Sequence, residues 1–122
     1  MNDPGALPET WNDISEAYER YVAPFLTKFA RSAVEELSKR AWEHERALDV
    51  ACGPGTASVL LAEAFSHVTA LDFSADMLSR CRSRVDGLAV EVVEGDGQAL
   101  PLGDDIYDAS ISMFGLIFFP RR

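Results

Sequence analysis

Ala47-Leu48-Asp49-Val50-Ala51-Cys52-Gly53-Pro54-Gly55-Thr56 changes character twice within ten residues. Ala47 to Val50 is a short apolar run of the strand type, and Ala51 to Gly55 is a turn. From Thr56 to Phe65 the pattern is helical. A strand that passes through a glycine turn straight into a helix is the opening of a βα unit, whose next strand must lie parallel to the first.

The residues that follow repeat the unit. Val68 to Leu71 is a second strand ending at Asp72, and Ser74 is a good N-cap for a helix from Ala75 to Val85. Asp76 suits the positive first turn of that helix, and Asp86-Gly87 ends it. Leu88 to Val93 is a third strand, followed by a loop from Gly95-Asp96-Gly97 to Gly103-Asp104-Asp105. Tyr107 to Met113 begins a fourth strand, continued by the apolar Leu116-Ile117-Phe118-Phe119. Alternating βα units with right-handed crossovers make this a doubly wound α/β layer, a parallel sheet with helices on its faces. Before the first strand, apolar residues recur with helical spacing at Ile14, Ala17, Tyr18, Tyr21, Val22, Phe25, Phe29, Ala33 and Leu37. Thr10 with Asp13 resembles a capping box, and Pro24 divides the stretch into two helices, with proline in the first turn of the second. Residues 1–46 are thus read as a helical cap and 47–122 as the α/β core of one domain.

Composition sets outer bounds. The 122 residues are 48% hydrophobic, and 11 Lys+Arg against 20 Asp+Glu give a net charge of −9. Phosphate backbones and anionic membranes call for clustered cations, so neither is an expected partner. No apolar run approaches the roughly 20 residues of a membrane span, and the N-terminus lacks a secretory pattern. Cys52 and Cys81 are too few for a disulfide framework, which points to a reducing, cytoplasmic setting.

In open parallel sheets, ligands bind beyond the carboxyl ends of the strands, where strand order reverses. There Gly53 and Gly55 would let the backbone approach a ligand closely, at a helix N-terminus suited to anions. Asp72, ending the second strand, can accept hydrogen bonds from both hydroxyls of a ribose, or it caps the turn before Ser74. A nucleoside cofactor is implied, either NAD or S-adenosylmethionine. The dinucleotide fingerprint wants a third glycine where this chain has Ser58. Asp96 in Gly95-Asp96-Gly97-Gln98-Ala99-Leu100-Pro101 could accept from an adenine amino group, although Asp-Gly is also a common plain turn.

Leu48 to Thr56, Leu71-Asp72-Phe73-Ser74-Ala75-Asp76-Met77-Leu78, Gly95 to Leu102, and Tyr107 through Pro120 together resemble the successive motifs of class I S-adenosylmethionine-dependent methyltransferases. The subgroup is that of the ubiquinone/menaquinone C-methyltransferases and many small-molecule methyltransferases. The resemblance implies that Asp49, Ala51, Gly53 and Gly55 line the methionine part of the cofactor, with Ala51 where glycine is usual. It further implies that Asp72 holds the ribose, that Phe73 and Met77 pack on the adenine, and that Asp96 and Gly97 read its edge. Ser112, Met113 and Phe114 would lie near the sulfonium, and Tyr18 would close over the cofactor or serve as an ordinary core aromatic. No residue is singled out as the catalytic base.

Cys52 and Cys81 read as packing residues, Asp104-Asp105 as a solvated turn, and His44 and His67 lack metal-ligand spacing. Such enzymes are usually longer, so the chain reads as a methyltransferase core without its C-terminal part. In the Rossmann-like order 3-2-1-4 that the resemblance implies, with helices on both faces, strand four would then be an edge carrying Ile111, Met113, Ile117 and Phe118, open to a second copy or a partner chain. The expected function is methyl transfer to a small-molecule acceptor, or the cofactor-binding portion of such an enzyme. The alternative is a non-catalytic cofactor-binding module that pairs through this edge.

Overall fold

The computed structural model describes residues 8–95 and 107–112. Its elements are α1 (Pro8–Ala17), a π-helical turn (Tyr18–Val22), α2 (Ala23–Arg40), β1 (Arg46–Val50), α3 (Thr56–Ala64), β2 (His67–Asp72), α4 (Ala75–Arg84), β3 (Val90–Glu94) and β4 (Ala109–Ile111). The sheet has the order β3-β2-β1-β4, and each adjacent pair is parallel. This is the Rossmann-like order that the resemblance implies, in the parallel sheet expected from the βα repeats.

Register and burial show how the layers are arranged. Ala47 pairs with Val68, and both belong to the apolar cluster formed with Ala30 and Val34 of α2 and Ala57, Leu60 and Leu61 of α3. Ala70, two residues along β2 from Val68, joins Leu78 and Cys81 of α4 in a second cluster. Side chains two apart on a strand share a face, so α3 and α4 pack side by side on one face of the sheet. Leu48 and Leu71 point to the opposite face and are also buried. Burial of consecutive strand residues is the mark of a parallel sheet covered on both sides.

Several boundaries differ from the sequence expectation. The first helix starts at Pro8, so Thr10 lies inside it and forms no capping box with Asp13; the fixed φ of proline suits a first helical turn. Pro24 does stand in the first turn of α2, but the chain reaches it through the π-helical turn without a break. A wider turn there accommodates a proline that lacks the N–H for the regular ladder. The buried stripe of α2 is Ala30 and Val34, with Leu26 and Leu37 partly buried, whereas Tyr21 (69%) and Phe25 (67%) face outward. Small residues let α2 approach α3 closely, and the excluded aromatics instead meet cations. Lys28 Nζ lies 5.9 Å from the Phe25 ring centroid and 5.3 Å from that of Phe29. Leu88 precedes β3 as an exposed turn residue. β4 is a three-residue edge strand among the described residues; Met113, Ile117 and Phe118 lie outside them.

The cap is fixed by polar contacts between residues far apart in sequence. Ser74 Oγ accepts from Met77 N at 3.2 Å and donates to Asn12 Oδ1 at 2.6 Å, and Asn12 Oδ1 also accepts from Asp76 N at 3.1 Å. Asn12 of α1 therefore completes the N-cap of α4. A turn further on, Glu19 receives Arg80 Nη1 at 3.0 Å and Arg84 Nη2 at 3.2 Å, while Arg84 Nε donates to Pro54 O at 3.1 Å. One carboxylate thus joins the cap to α4, and one of its arginines reaches the glycine turn. Asn12→Ala leaves the α4 cap short of its second acceptor and should cost about 1–2 kcal/mol. Urea denaturation checks this: the midpoint falls at unchanged slope, whereas an unaltered midpoint would show that Asn12 contributes nothing.

Candidate functional site

The C-terminal ends of β1 and β2 lie side by side, with Val50 paired to Leu71 and Asp72 one step beyond. The glycine turn rises from β1 between them. Cys52 N donates to Leu71 O at 2.9 Å, and Gly53 N donates to Asp72 Oδ2 at 2.8 Å. The other oxygen, Asp72 Oδ1, accepts from Ser74 N at 3.0 Å. Asp72 does cap the Ser74 turn, and it also grips the glycine turn, a role the sequence did not suggest. A carboxylate has about four lone-pair sites, so these backbone donors leave acceptor capacity for a ligand. Burial pushes the Asp72 carboxyl up, opposed by hydrogen bonds from Ser74, Gly53 and Phe73 N–H groups.

Asp49 lies deeper, buried at the end of β1. Burial raises its carboxyl to about 7, Ser58 opposes the shift, and the Asp72 charge adds to it. Ser58 Oγ donates to Asp49 Oδ2 at 2.6 Å. The residue standing at the third-glycine position of a dinucleotide fingerprint is thus the partner of the buried carboxylate. That pairing was not visible in the sequence, where Ser58 registered only as a missing glycine.

The turn itself is conformationally demanding. Ala51 has φ 58°, and Gly55, the N-cap of α3, has φ 93°. A Cβ on Gly55 would lie 2.8 Å from Cys81 Sγ, so only glycine fits against α4. At Ala51 the departure from glycine matters through backbone conformation more than through the volume of a methyl group. Gly53 has φ 58°, and a Cβ there would sit 3.8 Å from the Tyr18 ring, which places Tyr18 over the turn. Burial, with Asp72 and Asp49 nearby, raises the Tyr18 phenol above its usual range. It is therefore protonated at neutral pH and suited to donate a hydrogen bond.

Tyr18, Leu26 and Ala30 from the cap face Asp49, Ala51, Cys52, Pro54, Thr56 and Ala57 across a small cavity of about 40 Å³. Among the described residues, the hydroxyls of Thr56 and Ser112 are buried without a hydrogen-bond partner. Ser112 follows Ile111, which pairs with Asp49, so it belongs to the same end of the sheet. Phe73 is half-buried after β2, and Met77 is enclosed in α4. Asp96, Gly97, Met113 and Phe114 lie outside the described residues. The structure therefore gathers Asp49, Ala51, Gly53, Gly55, Asp72, Ser112 and Tyr18 at one end of the sheet. Sequence reasoning missed Leu26, Ala30, Thr56 and Ser58. Thr56 was detectable as the first residue of the helix after the turn; Leu26 and Ala30 depend on how the cap docks, and Ser58 on how α3 packs against β1.

Acidic acceptors for hydroxyls and an ammonium, orphaned hydroxyls, and a helix N-terminus for a carboxylate fit an amino-acid nucleoside such as S-adenosylmethionine. Fold and site define the class as an α/β domain for a nucleoside cofactor. Residues 47–122 match the methyltransferase domain family, and the chain belongs to it. It is 38% identical, over 98% of its length, to a demethylmenaquinone methyltransferase of Clavibacter sepedonicus, of which it covers 51%. It is 36% identical over 65% of its length to a fatty-acid O-methyltransferase of Mycolicibacterium smegmatis, covering 30% of that protein. The chain thus spans about half, or less, of these relatives. Among solved structures, the amino pentose methyltransferase CalS10 of Micromonospora echinaspora, determined with S-adenosylmethionine bound, superposes with a TM-score of 0.60 at 28% identity. That match covers 83% of this chain and 42% of CalS10. Streptomyces venezuelae DesVI superposes at 0.66 with 27% identity, over 84% of this chain and 42% of DesVI. S-adenosylmethionine, and not NAD, is the cofactor these findings support.

The backbone at Ala51 and Gly55 sets opposite expectations for two substitutions. Ala51→Gly relieves a left-handed alanine and should raise stability by up to about 1 kcal/mol. Gly55→Ala adds both strain and a clash and should cost about 2–4 kcal/mol. Thermal and urea unfolding of both variants read the difference, and equal effects would contradict the turn geometry.

Proposed function

We propose that this chain binds S-adenosylmethionine at the ends of β1 and β2 and serves methyl transfer to a small-molecule acceptor. The observation that carries the reading is Asp72, held by Gly53 N and Ser74 N with lone pairs remaining at the mouth of the sheet. The bound cofactor supplies an electrophilic methyl group on a sulfonium. The chain's task is to align donor and acceptor and to keep water out.

In this reading the Asp72 carboxylate accepts from the ribose hydroxyls, and the half-buried Phe73 flanks the adenine. Asp49 faces the cofactor's ammonium, and Thr56 Oγ1 and Ser112 Oγ gain the partners they lack within the chain. Tyr18 covers the methionine end from the cap and contributes a hydrogen-bond donor. A small-molecule acceptor is favoured by the relatives, whose names specify a menaquinone precursor, a fatty acid and an amino pentose.

Calorimetric titration of S-adenosylmethionine tests the reading. Asp72→Asn keeps an acceptor for only one of the two backbone donors and loses the charge-assisted bonds, so affinity should fall by at least about 1.5–3 kcal/mol. A cation beside Asp49 favours its ionised form, so binding below pH 7 releases a proton. Affinity should therefore rise with pH, by up to about tenfold per unit, until Asp49 is ionised in the free chain. Absence of binding, or equal binding by both proteins, would contradict the proposal.

A further inference from the structure

The glycine turn and α4 each contribute one thiol to a buried contact that the cofactor reading does not use. Cys52 Sγ lies 4.0 Å from Cys81 Sγ, and both cysteines are free. Cys52 sits in the turn and lines the cavity beneath Tyr18. Cys81 lies inside α4, with no exposed surface, directly behind Gly55. We propose that Cys52 and Cys81 form a reversible disulfide site, closed by a peroxide, that displaces the glycine turn and lowers affinity for the cofactor. The effect on the cofactor rests on the binding reading above; the disulfide itself does not.

The chemistry balances with hydrogen peroxide as oxidant. Peroxide reaches Cys52 through the cavity, and the Cys52 sulfur attacks one peroxide oxygen. The O–O bond breaks, and the departing hydroxide takes the thiol proton as water, leaving a sulfenic acid. Cys81 then attacks the Cys52 sulfur: the S–S bond forms, the S–O bond breaks, and hydroxide leaves with the Cys81 proton as a second water. Two thiols are oxidised and one peroxide is reduced. Reach sets this order of events: Cys52 borders the cavity and Cys81 is enclosed, while the contact with Cys81 and burial push the Cys52 thiol up and slow the first step.

The direction of movement follows from packing. A disulfide needs its sulfurs at about 2.05 Å, so the pair must close by roughly half its present separation. Both cysteines belong to the second apolar cluster with Ala70, Leu78 and Val85, but Cys81 is held within α4, whereas Cys52 is in a turn. The turn is therefore the part that moves. Its movement disturbs the bonds from Cys52 N to Leu71 O and from Gly53 N to Asp72 Oδ2, which hold the binding surface in place. A bound cofactor fills the approach to Cys52 and should slow oxidation.

The full chain is treated with a few equivalents of hydrogen peroxide, digested without reduction, and mapped by mass spectrometry. The expected product is a peptide joining residues 52 and 81, lighter by two hydrogens than its reduced parts and released by dithiothreitol. Oxidised chain should bind S-adenosylmethionine at least tenfold more weakly than reduced chain, with recovery on reduction, and S-adenosylhomocysteine should delay the link. Cys81→Ala should stop Cys52 at sulfenic or sulfinic acid, and Cys52→Ala should leave Cys81 reduced. Overturning results are links only between chains, separate over-oxidation of each cysteine, or equal affinity of oxidised and reduced chains. A linked peptide from a chain that binds no cofactor when reduced would overturn the cofactor reading and the affinity change, leaving only the disulfide.

Discussion

The carboxylate of Asp72 holds two turns at once, through Gly53 N on one oxygen and Ser74 N on the other. Parallel strands place their crossover turns at one edge of the sheet, and nothing in strand pairing alone fixes how those turns sit relative to each other. Asp72 supplies that fix. It sets the glycine turn over the end of β1, and it sets Ser74 where its hydroxyl can begin α4. Ser74 in turn receives Asn12, so the position of the cap is linked to the same carboxylate. A buried acid with several backbone donors is costly to remove, because its donors would be stranded in a dry environment.

A second acid, Asp49, is tuned differently. It is buried against a single hydroxyl, Ser58, and its carboxyl is raised to about 7. Between the unfolded value near 4 and this raised value, the folded chain holds more protons than the unfolded one. Stability from this group is therefore present at low pH and declines as pH rises through 7. Binding of a cation would recover what ionisation costs. The site thus combines one carboxylate committed to architecture and one whose charge awaits a partner. The Asp72 charge raises the cost of ionising Asp49, and both carboxylates raise that of ionising the Tyr18 phenol.

Much of the fold was legible because a βα repeat leaves local marks: strand, glycine turn, helix, and an acidic residue at the next strand end. Those marks indicated a doubly wound parallel sheet and located Gly53, Gly55 and Asp72; the order 3-2-1-4 and the place of Asp49 came with the family resemblance. What escaped were contacts between segments far apart in sequence. Nothing near Asn12 indicates that it caps a helix beginning at Ala75, and nothing near Glu19 indicates that it meets Arg80 and Arg84. Helical periodicity in residues 14–37 identified apolar positions but not which of them would be covered. Phe25 and Phe29 share that spacing but stand exposed, and Ala30 and Val34 occupy the buried face, because α2 packs closely on α3. At Ala51, where glycine is usual, the cost of the departure lies in a left-handed backbone that the residue type alone does not reveal.

The account depends on residues 49–58 and 72–77 forming one cofactor-binding surface held together by Asp72. Amide hydrogen exchange of the chain with and without saturating S-adenosylhomocysteine measures this directly. Exchange should slow in peptides covering those two segments together, and it should be unchanged around the distant turn at Asp86 and Gly87. Unaltered exchange in both segments, or protection confined to one of them, would contradict the account.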